Sequence, residues 1–290
     1  MGEEDGEGGE DGEDGEDEEG GVGGRGGACA LMPSYALWID ATARPGWRNM
    51  AIDLALLERA QAGERWLRLY GWDPPCLSFG RHEPATRRYD ARRIAALGLA
   101  AVRRPTGGRA VWHARELTYA VAAPSAGLGS MRQAYEEIHR MLCDALAALG
   151  ARAKLAPACR TAGLDAGACF SLPAGGEVMV GGHKVVGSAQ LREGTALLQH
   201  GSILLEDDQS TVAGVTLGGA LRDLSAPLSC LLGRAVTRSE MAEKVASAAG
   251  ERWGAPAERV DSPGPILERS EAHAARFRSP AWTWAGAPGA

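Results

Sequence analysis

Two segments of the sequence carry residue types that could bind an anion or supply a nucleophile. The first is the paired-glycine turn Gly107-Gly108, which is flanked by Arg103, Arg104 and Arg109. Glycines let a backbone approach a ligand closely, and arginine side chains bind carboxylate or phosphate oxygens. The spacing matches neither of the common glycine-rich phosphate loops. On spacing alone, an ordinary hairpin turn with solvated arginines is therefore favoured over a ligand loop.

The second segment contains Cys169 and Lys184. Cys169 lies in a run of small residues between Ala156 and Gly176, and such an approach leaves a thiol accessible to a bulky substrate. A lysine held near that thiol would stabilise the thiolate. Taken singly, each residue also has a plainer interpretation that the sequence favours: an inert buried cysteine and a solvated lysine at a strand edge.

Histidines and cysteines are spaced in a way that does not suit a metal ion. The six histidines include no HxH or HxxxH pair, and the six cysteines include no CxxC pair. We therefore predict no metal site, no disulfide framework and reduced cysteines. His200 could act as a base, but a hydrogen-bonded structural histidine at a strand end is the favoured interpretation.

Charge is concentrated at the N-terminus of this 290-residue chain. Residues 1–27 hold twelve acidic residues, twelve glycines and one arginine, against a formal net charge of −6 for the whole. We expect residues 1–31 to be a disordered tail, or the product of a start codon assigned too far upstream of Met32. The remainder is mildly basic, which hints at an acidic macromolecular partner. We expect one catalytic domain over 32–284 and a loose end at 285–290.

Helical and strand-like patterns alternate along the predicted domain. Helices are predicted over 50–62 with Asn49 as cap, over 89–97, over 131–149, and over 240–253 with Ser239 as cap. Strands are predicted at 66–72 and 99–103, and a three-strand meander at 178–180, 185–186 and 196–198. This order favours an α+β fold with substantial antiparallel sheet. No apolar run is long enough for a membrane helix and no signal peptide is evident, which predicts a cytoplasmic protein.

Six blocks, found in one order between about residues 38 and 255, together resemble the cysteine-dependent octanoyltransferase branch of the biotin/lipoate ligase and transferase family. One block alone would be a weak signal, whereas six in register are specific. The blocks are Asn49-Met50-Ala51-Ile52-Asp53, the arginine-glycine segment 103–113, Glu116-Leu117-Thr118-Tyr119, Ala168-Cys169-Phe170, Lys184-Val185-Val186-Gly187-Ser188-Ala189-Gln190 and Leu198-Gln199-His200-Gly201-Ser202-Ile203.

The resemblance implies a mixed, mostly antiparallel sheet flanked by helices, with the double-glycine loop lining an acyl pocket. It implies octanoyl transfer through a thioester on Cys169, with Lys184 lowering the thiol pKa and holding the acyl carbonyl. The donor would be octanoyl-acyl carrier protein, and the acceptor a lysine of a lipoyl domain or of a glycine cleavage H-type protein. No cofactor, nucleic acid or membrane is implied. The substrate-binding residues implied are Arg103, Arg104, Gly107, Gly108, Arg109, His113, Ser188, Ala189, Gln190, His200 and Gly201.

Three other functions stay open on the sequence. An ATP-dependent lipoate–protein ligase needs no cysteine and often carries a further C-terminal domain, so Cys169 and the short C-terminal segment favour the transferase. A lipoyl-carrier amidotransferase also uses a cysteine, and the sequence separates it poorly from the octanoyltransferase. A non-catalytic relative that binds carrier proteins is disfavoured because Cys169 and Lys184 are both present.

Overall fold

A computed structural model describes residues 34–157, 175–218, 224–254 and 257–285 of the chain. The strands in these ranges are β1 (Tyr35–Ile39), β2 (Trp66–Tyr70), β3 (Cys76–Phe79), β4 (Ala100–Arg103), β5 (Val111–His113), β6 (Glu116–Pro124), β7 (Ala153–Leu155), β8 (Val178–Val180), β9 (His183–Lys184), β10 (Val186–Glu193), β11 (Ala196–Leu204) and β12 (Ala257–Arg259). The helices there are α1 (Gly46–Gln61), α2 (Ala85–Arg88), α3 (Ala91–Ala96), α4 (Met131–Ala147), α5 (Ser210–Val215), α6 (Leu228–Leu232), α7 (Arg238–Trp253), α8 (Gly264–Arg278) and α9 (Pro280–Ala285).

The main sheet has the strand order β10-β11-β6-β2-β1-β12 among the described residues. From β10 to β2 each neighbour runs antiparallel, whereas β2, β1 and β12 are parallel. The parallel pair β1 and β2 is joined by α1, as parallel strands need a crossover connection. Two smaller sheets have the orders β4-β3-β5 and β7-β8-β9. The predicted α+β fold with a mixed, mostly antiparallel sheet is confirmed.

Helices cover both faces of the main sheet. On one face, Leu117, Tyr119 and Val121 of β6 join a core with α4 and α7; on the other, Ala120 and Ala122 join a core with α1 and α8. This alternation follows from the two-residue period of a strand. We call these two sides the α4 face and the α1 face. No helix within the described ranges is both long and apolar enough to cross a membrane.

The start of α1 differs from the sequence prediction. The helix begins at Gly46, and Asn49 is fully buried inside it rather than capping it. The Asn49 amide donates to the carbonyls of Arg44 and Gly71, both at 3.2 Å, and its oxygen accepts from Arg68 at 2.8 Å. The prediction was wrong because these links to β2 and its flanking loop use the polar atoms that a cap would need.

The predicted meander is also wrong. β8 and β9 pair with each other in the β7-β8-β9 sheet, whereas β10 and β11 pair in the main sheet. The chain therefore changes sheets at Val185, between β9 and β10. Apolar alternation reports that a residue is buried, but it does not report which sheet buries it.

The other predicted helices exist where the sequence placed them, but several of their ends or caps differ. α4 starts at Met131 as predicted, and a capping box between Ser130 and Gln133 fixes that start. α7 is capped by Thr237, whose hydroxyl accepts from the Glu240 backbone N–H, so Ser239 is not the cap. The predicted helix at 89–97 is the shorter α3, capped by Asp90.

Candidate functional site

A narrow cavity with a mostly apolar lining lies on the α1 face of the main sheet. Its wall combines apolar side chains with a few polar ones from β5, β6, β10, β11 and the double-glycine loop. Six predicted substrate-binding residues line it: Arg104, His113, Ser188, Ala189, His200 and Gly201. The remaining wall residues are Met50, Tyr70, Trp72, Val111, Thr118, Gly187 and Ser202.

The double-glycine loop, residues 104–109, crosses from β4 to β5 over the strand that separates them. Since β3 lies between β4 and β5, the loop is not a hairpin turn. The buried Arg104 guanidinium holds it, donating to the carbonyls of Gly107 at 3.0 Å and Arg109 at 2.9 Å and to Ser78 at 2.7 Å. The favoured sequence interpretation of a hairpin with solvated arginines was therefore wrong.

Gly108 carries a left-handed φ of +88°, a conformation that favours glycine, and its carbonyl passes Gly80 so closely that a side chain at position 80 would collide with it. The glycines at these two positions thus let the loop lie against the end of β3. Gly107 and Gly108 themselves do not line the cavity, and neither does Arg109. Their contribution is the path of the loop that carries Arg104.

Arg103 and Gln190 lie away from the cavity wall. The Arg103 guanidinium is fully buried and donates to the carbonyls of Glu83 and Trp282, both at 2.9 Å. It joins the loop region to α9 and has no place in the wall. Gln190 donates to the carbonyl of Met131 at 3.1 Å and so ties β10 to α4.

His200 is the centre of a buried hydrogen-bond relay below the cavity. Its Nδ1 lies 2.8 Å from Asp53 Oδ2, and its Nε2 lies 2.6 Å from the Thr106 hydroxyl in the double-glycine loop. Burial lowers the pKa of His200, against the opposing effect of Asp53. The neutral ring donates from Nδ1 to the carboxylate and accepts at Nε2 from Thr106. The relay thus joins α1 and β11 to the loop.

Asp53 is a site residue that the sequence analysis named only as the end of the first block, without a role. It is fully buried and also accepts from Tyr70 at 2.9 Å and Arg68 at 3.2 Å. A signal existed: Asp53 lies three residues after Met50 and four before Leu57, which places a carboxylate on the apolar stripe of α1. A charge at such a position is stable only when paired.

A second relay joins β3, β5 and β6. His113 Nδ1 lies 2.8 Å from Glu116 Oε1, and its Nε2 lies 2.7 Å from the Ser78 hydroxyl. The ring stacks on Trp72 with centroids 3.9 Å apart, and the Trp72 indole donates to the Thr118 hydroxyl at 2.7 Å. These contacts fix the aromatic part of the cavity wall.

A third relay lies on the α4 face, behind the strand that lines the cavity. His139 Nδ1 lies 2.7 Å from the Gly176 carbonyl, and its Nε2 lies 2.8 Å from the Ser188 hydroxyl. Ser188 is in turn 2.7 Å from the Tyr119 hydroxyl. A side chain at Gly201, opposite Ser188, would collide with that serine and with the Gly187 carbonyl. His139 therefore anchors β10 to α4.

Burial lowers the pKa of His139 to about 4, and the positive charge of Lys184 adds to the shift. A neutral ring that donates to a carbonyl from Nδ1 must accept at Nε2, so Ser188 donates to His139 and Tyr119 donates to Ser188. At neutral pH the hydrogen bonds of this relay therefore all donate in one direction, from Tyr119 through Ser188 to His139.

Lys184 is fully buried and donates to Glu177, whose side chain is only 7% exposed. The favoured interpretation of a solvated edge lysine was therefore wrong. Lys184 ends β9, two residues before β10 begins. It does not line the cavity.

Cys169 lies outside the described residues. The free cysteines inside them are Cys76, Cys143 and Cys230. Burial raises the pKa of the Cys76 thiol and raises that of Cys143 to about 11, so both stay protonated at pH 7. Neither thiol is therefore expected to act as a nucleophile at this pH.

Replacing His139 with glutamine is expected to flatten the pH dependence of stability between pH 7 and 5. An unfolded histidine, with a pKa of about 6.5, takes up a proton that folded His139 refuses until about pH 4. The wild type therefore loses about 2 kcal/mol through this group at pH 5, whereas glutamine does not titrate. Urea unfolding at both pH values measures the difference, with exposed His82→Gln as control. Equal slopes in wild type and His139→Gln would contradict the assignment.

The profile of the lipoyl protein ligase A/B catalytic domain matches residues 45–249. These residues include the cavity wall, the three relays and Lys184. The chain belongs to this family, and the resemblance stated from the sequence is confirmed.

Curated relatives that are similar to this chain include octanoyltransferases. Octanoyltransferase LipM of Kyrpidia tusciae is 36% identical over 256 residues, covering 81% of this chain and 93% of the relative. Octanoyltransferase LipM of Symbiobacterium thermophilum is 37% identical over 254 residues, covering 81% and 91%.

Solved structures share the fold. A lipoate-protein ligase A bound with ATP has a TM-score of 0.74 at 18% identity, over 86% of this chain and 98% of that one. A putative lipoate protein ligase from T. acidophilum with bound lipoic acid has a TM-score of 0.73 at 19% identity, over 87% and 100%. At these identities the likeness concerns the fold alone.

Proposed function

We propose that this chain transfers an octanoyl group from acyl carrier protein to a lysine of a lipoyl domain, through a thioester on Cys169. Octanoyl transfer is the activity named for the curated relatives, and the sequence prediction of an octanoyltransferase enzyme of lipoate biosynthesis is confirmed by their identity over most of both chains. The acyl carrier protein donor and the Cys169 thioester rest on the resemblance of the sequence blocks.

The observation that carries the proposal is the composition of the cavity wall. Met50, Tyr70, Trp72 and Val111 supply an apolar surface for an alkyl chain. The polar side chains of Arg104, His113 and His200 form hydrogen bonds with other groups of the protein. Such a wall suits an apolar group with little polarity of its own.

The chemistry requires no activation by ATP. A donor thioester is already activated, so a cysteine thiolate accepts the acyl group with little change in free energy. The lysine amine then forms an amide, which is more stable than the thioester. A lipoyl domain as acceptor is consistent with a fold neighbour described as a lipoate protein ligase with its E2 lipoyl domain.

A ligase reaction is the second candidate, because solved lipoate ligases share the fold. Purified protein would be given octanoyl-acyl carrier protein, octanoate with ATP, or an octanoylated H-type protein, then a lipoyl domain, and every component would be weighed by mass spectrometry. We expect transfer from octanoyl-acyl carrier protein without ATP and an octanoyl adduct on the enzyme. Transfer only with ATP would assign a ligase, and transfer only from the H-type protein an amidotransferase.

A further inference from the structure

Ser202 carries an unused hydrogen-bonding group in the cavity wall. The residue is 1% exposed, and its hydroxyl has no hydrogen-bond partner among the described residues. It lies on the α1 face of β11, opposite Thr118 of β6 on one side and Gly187 of β10 on the other. Because Gly187 has no side chain, the space beside Ser202 on that side is left to the cavity.

The other polar side chains of the wall hydrogen-bond within the protein. Arg104 donates to backbone carbonyls, His113 bonds to Glu116, and His200 bonds to Asp53. The hydroxyl of Thr118 accepts from Trp72 and donates to Glu116. A buried hydroxyl without a partner costs free energy, which a ligand atom can recover by bonding to it.

We propose that the Ser202 hydroxyl donates a hydrogen bond to the carbonyl oxygen of the bound acyl group. The inference rests on the proposed function and deepens it. An octanoyl thioester has an apolar chain and a single carbonyl oxygen, which only accepts hydrogen bonds. The cavity offers an apolar wall and, in Ser202, a donor left over after its other side chains are paired. Ligand and wall therefore match group by group.

The bond gains strength during the reaction. When a thiolate attacks the carbonyl carbon, the new C–S bond forms and the π electron pair moves to the carbonyl oxygen. Collapse of this intermediate returns the pair and expels the donor thiolate with its own electrons. The carbonyl oxygen carries its largest negative charge in the tetrahedral intermediate. A hydrogen-bond donor beside this oxygen therefore stabilises the transition state more than it stabilises the bound substrate.

Ser202→Ala is the central variant, and Ser202→Thr keeps a hydroxyl at the same carbon. We expect alanine to slow octanoyl-enzyme formation in single turnover by roughly 10- to 100-fold with little change in KM for the donor. Threonine is expected to recover most of the rate. Ser247→Ala is the matched control, because Ser247 is exposed on α7 and does not line the cavity.

Two further measurements separate a substrate contact from a structural role. The unliganded Ser202→Ala protein should unfold at no lower temperature than the wild type, since no protein hydrogen bond is lost, whereas Ser78→Ala, which removes bonds to His113 and Arg104, should unfold earlier. Isotope-edited infrared spectra of the [1-13C]octanoyl enzyme should show the carbonyl stretch at higher frequency in Ser202→Ala.

Different results would contradict the role of Ser202 and the proposed octanoyl transfer. A wild-type rate and an unchanged carbonyl stretch in Ser202→Ala would overturn the inference, and would leave the hydroxyl bonded to an ordered water. Absence of any octanoyl adduct in the wild type would instead overturn the proposed function.

Discussion

Cys169→Ala is expected to reduce octanoyl transfer by roughly a thousand-fold or more, because the thiolate that accepts the acyl group is removed. Cys169→Ser should recover little. A serine hydroxyl has a pKa far above that of a thiol, so it would need a dedicated base to attack at neutral pH. Transfer from octanoyl-acyl carrier protein to a lipoyl domain, followed by intact mass, measures the loss and shows whether the adduct disappears with it.

The other cysteines provide the controls. Cys230, which is exposed on α6, can be replaced by alanine with no expected loss of transfer. Cys143→Ala tests a half-buried thiol that burial keeps protonated. Near-wild-type transfer by Cys169→Ala, or loss of transfer in Cys230→Ala, would refute the assignment of the nucleophile.

The sequence predicted the elements of the fold better than their partners. α4 was predicted almost to its ends because its apolar residues repeat at helical spacing. The separation of β9 from β10 into two sheets was not predicted, because it depends on the pairing of β8 with β7 and of β11 with β6, and the strands of each pair are distant in the sequence. Local patterns fix conformation, whereas sheet membership is a long-range property.

The site was predicted in part, through residues whose type is unusual at their position. The residues selected from the sequence include Arg103, Arg104, Arg109, His113 and His200, and three of these five line the cavity, namely Arg104, His113 and His200. The roles of Arg103 and Arg104 as internal ties were missed, because exposed and buried arginines look alike in a sequence. Ser202 was missed for a different reason: what makes it notable is a missing partner, which only the folded arrangement defines.

Lys184 is the second residue whose replacement should have a large effect, and its pairing with Glu177 decides how it must be tested. Lys184→Ala alone would leave a buried carboxylate without its charge partner, which typically costs about 3–5 kcal/mol of stability. A loss of activity would then report unfolding. The double variant Lys184→Met with Glu177→Gln removes both charges and keeps the volume, so it leaves neither member of this ion pair as a lone buried charge. Lys184→Arg keeps the charge but changes its geometry.

If Lys184 activates Cys169 by stabilising its thiolate, the size of the effect at pH 7 is bounded. A thiol with the reference pKa of about 8.5 is only about 3% ionised at pH 7, so loss of the activating charge can slow acylation by at most roughly 30-fold through ionisation. That deficit should vanish as the pH rises past about 8.5. Iodoacetamide alkylation of Cys169 across pH, in wild type and in the double variant, measures the ionisation directly. Identical profiles would remove Lys184 as the activating group, whereas a deficit in transfer that persists at high pH would assign it to holding the acyl group, because hydroxide replaces a missing charge but not a missing contact.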